Sequence, residues 1–168
     1  PRNARKAAES FADRDFREMA IAEFYYFTGQ AQKCSDLVEI YIMSSRLELK
    51  LSACMLYVYS NLTLGNAKAS ERGLEIIREC LRKEMEAPTS ERNTAYCVFA
   101  GYMGTVLLHL STEELPDMKK YMSSLPQGLR IFAANVISHD LYLKGEYSRA
   151  LGICDAALFS CKEIYPVG

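Results

Sequence analysis

A histidine beside an acidic residue is the first candidate for catalysis or metal binding in this sequence. His139 is followed directly by Asp140, and the second histidine, His109, lies in a different part of the chain. Adjacent residues on a helix direct their side chains apart, so His139 and Asp140 are poorly placed to act as an acid–base pair. We interpret His139 as a polar lining residue or a packing histidine. An enzyme that uses His139 with nearby carboxylates is the alternative, and turnover that is lost on changing His139 would support it.

The six cysteines follow neither a metal-binding nor a secreted pattern. None lies in a C-x-x-C motif, no histidine stands at zinc-finger spacing, and the first residues are too polar for a secretory signal. Cys154 and Cys161 share a helix face but lie two turns apart, too far for an easy disulfide. We therefore expect reduced and mainly buried thiols in a cytoplasmic protein. The thiols expected on apolar faces are Cys34, Cys54, Cys97 and Cys154.

Other site motifs are missing from the sequence. It contains no G-x-x-x-x-G-K-[ST], G-x-G-x-x-G or G-x-S-x-G string. Glu113 and Glu114 are interpreted as partners of a helix dipole rather than as metal ligands. The net charge of -1 disfavours nucleic-acid binding by this segment, because phosphate contacts need an excess of Lys and Arg. We expect no enzyme activity, no cofactor, no metal and no direct contact with DNA.

The sequence is rich in aromatic residues and methionine, and this is the feature of its composition that bears on binding. The chain contains 11 Tyr, 7 Phe and 7 Met residues. Hydrophobic residues make up 49% and charged residues 24% of the chain, near the globular average, which excludes a disordered tail. Adaptable apolar side chains of this kind suit packed helices and binding surfaces.

The elements that must position these side chains are helices. Apolar residues recur at three-to-four spacing, and no stretch alternates with period two for long enough to form a strand. Ser90 is predicted to be an N-cap, and Glu113 and Glu114 to lie in the first turn of a short helix. The predicted helices span about 16–28, 31–43, 47–64, 67–85, 91–110, 112–123, 127–144 and 147–164.

One uncharged stretch tests for a membrane span. Residues 93–112 carry no charge over 20 residues, which is long enough to cross a bilayer. The stretch also contains Asn, Thr, Gly, His and Ser residues, which suit a buried helix better than lipid. We expect no contact with a membrane.

The predicted helices form hairpins that repeat. Gly29 and Gly65 are 36 residues apart, and Gly145 follows 80 residues later, which is about two periods. A further hinge is expected near 110–113. Helix pairs with this period indicate an all-α, right-handed α-solenoid of about four hairpins. We predict one domain over 1–168, with units of about 15–44, 47–86, 90–124 and 127–165, as a piece of a longer chain.

The last hairpin resembles the tetratricopeptide repeat. Its residues 145–151 read G-E-Y-S-R-A-L, and Ala157-Leu158 follows, as in the G-x-Y-x-x-A…A-L core of that family. In such repeats glycine frees the turn, the aromatic residue fills the base of the hairpin, and alanine permits close helix crossing. Cys34 and Ser70 take the place of Ala150 in the first two hairpins.

Four longer strings resemble the helical-repeat region of bacterial LuxR-type one-component regulators. They are residues 24–31 (F-Y-Y-F-T-G-Q-A), 61–65 (N-L-T-L-G), 125–130 (L-P-Q-G-L-R) and 142–147 (Y-L-K-G-E-Y). The likeness covers about residues 16–166. In that family a helix-turn-helix lies downstream of the repeats, and this sequence contains none. The resemblance implies a bacterial, cytoplasmic sensor segment that binds a protein, peptide or small effector, with a homodimer possible. The alternative is a freestanding scaffold for protein–protein interaction.

The resemblance also implies where a ligand would bind. A tetratricopeptide array exposes one face of its first helices to a concave groove, and aromatic and Met side chains there suit a peptide or small ligand. We expect Tyr26, Tyr59 and Tyr142 to be partly exposed along one wall. The third hairpin would contribute Gly101, Thr105 and Leu108. The positions that the other three hairpins contribute, these tyrosines included, are Met19, Glu23, Tyr26, Phe27, Met55, Tyr59, Leu62, Asn135, His139 and Tyr142.

Overall fold

The computed structural model describes residues 12–164, with side chains through residue 157. Within that range the chain is all-α and contains no strand, as predicted. The elements are α1 (Arg14–Phe27), α2 (Ala31–Val38), α3 (Leu47–Thr63), α4 (Ala67–Glu86), α5 (Glu91–Leu107), a 3-10 helix (Met118–Ser124), α6 (Gln127–Leu143) and α7 (Tyr147–Ile164).

The chain divides into two compact units, unit 1 (Pro1–Pro88) and unit 2 (Thr89–Gly168). In unit 1, α1 packs on α2 and α3, α2 packs on α3, and α3 packs on α4. In unit 2, α5 packs on the 3-10 helix and α6, the 3-10 helix packs on α6, and α6 packs on α7. Each unit therefore consists of two hairpins, and the first helix of the second hairpin covers the first hairpin. The single domain over 1–168 stays a prediction.

Each hairpin turns at one residue with a positive φ. Gly29, Gly65 and Gly145 have φ values of 74°, 73° and 78° and occupy the predicted hinges. His109, with φ 53°, takes this place in the third hairpin, one residue before the predicted range. At all four hinges the hinge N–H bonds the carbonyl three residues earlier, and the next N–H bonds the carbonyl five residues earlier. This pair of hydrogen bonds is the Schellman motif, which satisfies the last carbonyls of a helix.

The predicted end of α2 is wrong. The helix ends at Val38, although the apolar pattern continues through Ile42. Residues 39–43 form turns, and Tyr41 and Ile42 are nevertheless buried. The Tyr41 hydroxyl donates to Glu18 Oε2 on α1 at 2.6 Å. Anchoring on α1 therefore positions Tyr41 without a helical backbone.

The second element of the third hairpin also differs from the prediction. An α-helix was expected over 112–123, but the two glutamates at 113 and 114 lie in a turn and a 3-10 helix begins at Met118. Asp117 caps this helix by accepting a hydrogen bond from a backbone N–H at 3.1 Å. Pro116 disfavours the helical conformation of the residue before it, which delays the start.

The uncharged stretch of the third hairpin forms α5. The Ser90 hydroxyl caps this helix, as predicted, and accepts from the Asn93 N–H at 3.1 Å. α5 ends at Leu107, earlier than predicted, because the hinge is at His109. Eleven of its residues are buried. In the described part of the chain, no helix combines the length and apolar character needed to cross a membrane.

Candidate functional site

Unit 1 carries a surface rich in aromatic and methionine side chains, which we call the tyrosine surface. It lies on α1 and α3, which pack against each other. Its polar member is Glu23, and its largest side chains are three aromatic residues. The predicted residues on it are Met19, Glu23, Tyr26 and Phe27 from α1, and Met55, Tyr59 and Leu62 from α3.

A ring contact between Tyr26 and Tyr59 joins the two helices. The ring centroids are 5.4 Å apart and the rings are tilted by 44°. Phe27, which is exposed, meets Tyr26 edge to face at 5.4 Å. Both tyrosines are half-buried, and burial raises the pKa of Tyr59 to about 12 and also raises the pKa of Tyr26. Aromatic pairs of this geometry stabilise a contact beyond their buried area, so the surface is preformed.

Two other members of the tyrosine surface differ in their exposure. Met19 is only 5% exposed and belongs to the core of unit 1, where α1 packs on α2 and α3. This corrects its expected position in an open groove. Glu23 is exposed, yet burial raises the pKa of its carboxyl group.

Unit 2 carries a second candidate site, an open cavity of about 530 Å³ between α6 and α7. We call it the terminal groove. It brings together three predicted residues, Asn135, His139 and Tyr142. Its full lining is Asn135, Ser138, His139, Tyr142, Tyr147, Ala150, Leu151 and Cys154.

The terminal groove has an apolar aromatic rim and a small polar floor. Tyr142 and Tyr147 meet edge to face at 5.5 Å and are 60% and 64% exposed. Leu151 is 62% exposed beside them. On the floor, the Ser138 hydroxyl donates to the Ala150 carbonyl at 2.9 Å and lies 2.9 Å from Cys154 Sγ.

Sequence reasoning missed the half of the terminal groove that α7 provides. The prediction considered only first helices, because a tetratricopeptide groove is lined by them. Tyr147, Ala150 and Leu151 lie two, five and six residues after the Gly145 hinge. These three residues could have been predicted by numbering the second helix from the hinge in the way that the first helix was numbered.

The structure separates the remaining predicted positions. In the third hairpin Gly101 and Thr105 are buried and Leu108 is half-buried, so this hairpin contributes core at those positions. Tyr26 and Tyr59 belong to unit 1 and Tyr142 to unit 2. The single wall containing all three tyrosines therefore stays a prediction.

The cysteines are mostly structural. Cys34, Cys54 and Cys97 are buried, and burial raises the pKa of Cys54 to about 12, which keeps its thiol protonated and unreactive at neutral pH. Cys154 is half-buried in the terminal groove, more open than expected. Cys161 lies outside the described side chains.

His139 and Asp140 lie in different environments and do not form a pair. His139 is exposed in the terminal groove, whereas Asp140 is 7% exposed and binds Thr112 at 3.1 Å and Lys144 at 2.8 Å. The two side chains point apart, as predicted. Within residues 12–157, no group of three or more His, Cys, Asp or Glu side chains could hold a metal ion.

The resemblance to tetratricopeptide and LuxR-type proteins stays an expectation. No family model matches the chain, and no curated protein or solved structure shows significant similarity to it.

Proposed function

We propose that this chain is the regulatory helical-repeat region of a LuxR-type transcription regulator, built as a right-handed stack of about four tetratricopeptide-like hairpins. The observation that carries the proposal is one hinge geometry that recurs in all four hairpins. Gly29 and Gly65 are 36 residues apart, and so are His109 and Gly145. The shared pattern of helix contacts in the two units adds support. Stacked helix pairs of this length are typical of α-solenoids, which present extended binding surfaces.

Close helix approach at one repeat position also supports the proposal. The residue seven positions before the hinge faces the residue five positions after it. In two hairpins a serine at one of these positions donates a hydrogen bond to the backbone carbonyl of the other. Ser138 donates to the Ala150 carbonyl at 2.9 Å in the fourth hairpin, and Ser70 donates to the Val58 carbonyl at 3.3 Å in the second. The serine lies on the first helix in the fourth hairpin and on the second helix in the second hairpin, but the same two positions are in contact. Equivalent contacts in two hairpins favour repeats of one design.

The proposed activity is recognition of a protein, peptide or small effector. The tyrosine surface supports this, because the Tyr26–Tyr59 ring pair and the exposed Glu23 carboxyl group offer both apolar area and one polar contact. Binding there would act on a DNA-binding domain outside this sequence. A freestanding scaffold would use the same surface without that domain.

The full open reading frame distinguishes these two forms. A helix-turn-helix encoded downstream of residue 168 is the result expected for the regulator. A reading frame that encodes only further helical repeats would instead support the scaffold.

Binding itself is tested with peptides selected against the protein from a random display library. We expect Tyr59→Ala to weaken the selected peptides by at least about 1 kcal/mol, roughly fivefold in Kd. Tyr25→Ala is the matched control, because Tyr25 is also half-buried on α1 but neighbours Phe24 and Lys33. Equal effects of the two changes would contradict a binding role for the tyrosine surface.

A further inference from the structure

The tyrosine surface carries a single charged side chain. Residues 19–28 of α1 and 51–64 of α3 contain Glu23 and no other charged residue. Glu23 is exposed, and among the described residues no hydrogen-bond donor or cation pairs with its carboxylate. The next cation along the chain, Lys33, lies over the ring of Tyr25 at 5.6 Å from its centroid. The surface therefore presents a negative charge without a counter-charge from the described residues.

Glu23 lies beside the aromatic rings of this surface. Tyr26 and Phe27 follow it by three and four residues, which are neighbouring positions on one face of a helix. The ring of Tyr59 on α3 is 5.4 Å from that of Tyr26. Burial raises the pKa of Cys34 on α2, and the charge of Glu23 raises it further, so the carboxylate lies on the side of α1 that faces α2. A carboxylate and three aromatic rings thus share one surface.

An aromatic ring next to a carboxylate favours a guanidinium group over other cations. The guanidinium group of arginine is planar, lies flat on an aromatic face and donates two parallel hydrogen bonds to a carboxylate. The ammonium group of lysine is a compact and strongly hydrated charge that cannot stack in this way. Arginine is therefore the side chain that the charge and the rings of the tyrosine surface complement best.

The same combination, with its guanidinium group in place, occurs at the start of α1. Arg46 Cζ lies 4.8 Å from the centroid of the Phe16 ring. The same guanidinium group donates to Asp13 at 3.2 Å and to Asp15 at 3.1 Å. One arginine can thus satisfy a ring and carboxylates of this helix at once. At the tyrosine surface the ring and the carboxylate are present, and within the described residues the guanidinium group is not.

We propose that the tyrosine surface binds an arginine side chain of a partner peptide. The guanidinium group lies over the rings of Tyr26 and Tyr59 and bonds the carboxylate of Glu23. Apolar residues next to the arginine contact Phe27, which is 71% exposed. This inference rests on the recognition function proposed above and names the class of ligand that the surface selects.

The probe is the peptide acetyl-Leu-Arg-Leu-amide. The matched control peptide replaces arginine by citrulline, which has nearly the same shape but no charge. Binding to the isotopically labelled full chain is measured by NMR titration of the backbone amide signals. We expect the arginine peptide to bind about fivefold more tightly than the citrulline peptide, because an exposed ion pair and a cation–π contact each contribute modestly. The signals that shift should belong to α1 and α3.

Two substitutions test the carboxylate, and a third tests the ring. Glu23→Gln should remove the preference, so that both peptides bind alike. Glu75→Gln is the matched control, because it removes the same charge from an exposed position on α4 and should keep the preference. Tyr59→Leu keeps an apolar side chain without a ring, and it should weaken the arginine peptide more than the citrulline peptide. Circular dichroism checks that each variant keeps the helical content of the parent.

Four results would overturn the proposal. They are no binding of the arginine peptide, equal binding of both peptides to the parent, a preference that Glu23→Gln keeps, and equal losses of preference in Glu23→Gln and Glu75→Gln. The proposed recognition function has a separate test. Library peptides that Tyr59→Ala weakens, but that Glu23→Gln does not, would keep the function and remove only the arginine preference.

Discussion

The first and fourth hairpins have the same hinge but opposite surroundings. Gly29 and Gly145 both have a positive φ and the same two closing hydrogen bonds. Around the first hinge the hairpin is covered by α3, and its facing residues are small or buried. Around the fourth, the equivalents of Ala31 and Ser35 are the larger, exposed Tyr147 and Leu151, whereas Ser138 and Ala150 stay buried.

This difference shows which residues respond to a neighbour. The hinge is closed by local backbone bonds, so it forms in every hairpin regardless of what covers it. The side chains two and six residues after the hinge are Ala31 and Ser35 where a helix approaches, and Tyr147 and Leu151 where the surface is open. Small residues permit the close approach of α3, and the larger pair leaves a groove.

The largest expected difference in stability is between substitutions at two equivalent positions, Met19 and Asn135, which lie ten residues before the hinges of the first and fourth hairpins. Met19→Ala should destabilise the fold by about 2–5 kcal/mol, because it leaves a cavity in the core of unit 1. Asn135→Ala, at the exposed equivalent, should change the free energy of unfolding by no more than about 0.5 kcal/mol. Urea denaturation of both variants measures the contrast. Similar losses would show that the fourth hairpin is covered in solution.

The next effect concerns the polar contact that joins hairpins in unit 1. Asn61→Ala should cost about 1–3 kcal/mol, because it leaves the buried Ser35 hydroxyl and the Tyr57 carbonyl without the amide that bonds them at 2.9 Å. Thr112→Val in unit 2 should cost less, about 1 kcal/mol, since Asp140 keeps its bond to Lys144. Thermal unfolding of the two variants tests this order, and a greater loss for Thr112→Val would reverse the comparison.

A smaller effect is expected at the hinges. Gly65→Ala should destabilise by about 1–2 kcal/mol, because a Cβ at φ 73° is strained although the space around it is open. His109→Gly should stabilise by about 0.5–1 kcal/mol, since relief of the same strain exceeds the added freedom of the unfolded chain. Chemical denaturation measures whether each substitution lowers or raises the free energy of unfolding. A destabilising His109→Gly would mean that the histidine side chain contributes more than its backbone strain costs.

The smallest expected effect is a pH dependence confined to unit 1. Hydrogen bonds from Tyr41 and Arg14 hold the pKa of Glu18 below its usual 4.5. This contribution is present above the unfolded pKa of 4.5 and is lost as the pH falls through the lowered folded value. Tyr41→Phe should therefore flatten the loss of stability between neutral and acidic pH. Unfolding curves recorded across that range would reveal an unchanged slope if Glu18 is not involved.

Much of the helical framework could be predicted because its signals are local. Glycine at 29, 65 and 145 marked three hinges, and the serine at 90 marked an N-cap. The hinge of the third hairpin was misplaced by one residue, because glycine is the strongest sequence signal for a positive φ and His109 is not a glycine. The aromatic excess pointed correctly to surface tyrosines, but Met19 could not be told from its exposed neighbours by spacing alone.

The sequence by itself determined most of the helices, the three glycine hinges and the small residues that allow close helix crossing, because each depends on a few neighbouring residues. Tertiary structure decided which equivalent positions are covered and which are open. It ended α2 early, since Tyr41 is held by Glu18 on α1, and it buried Met19 in the core. It also formed the terminal groove from two helices at once. Burial is a property of contacts between distant segments, and periodicity reports only which face of a helix is apolar.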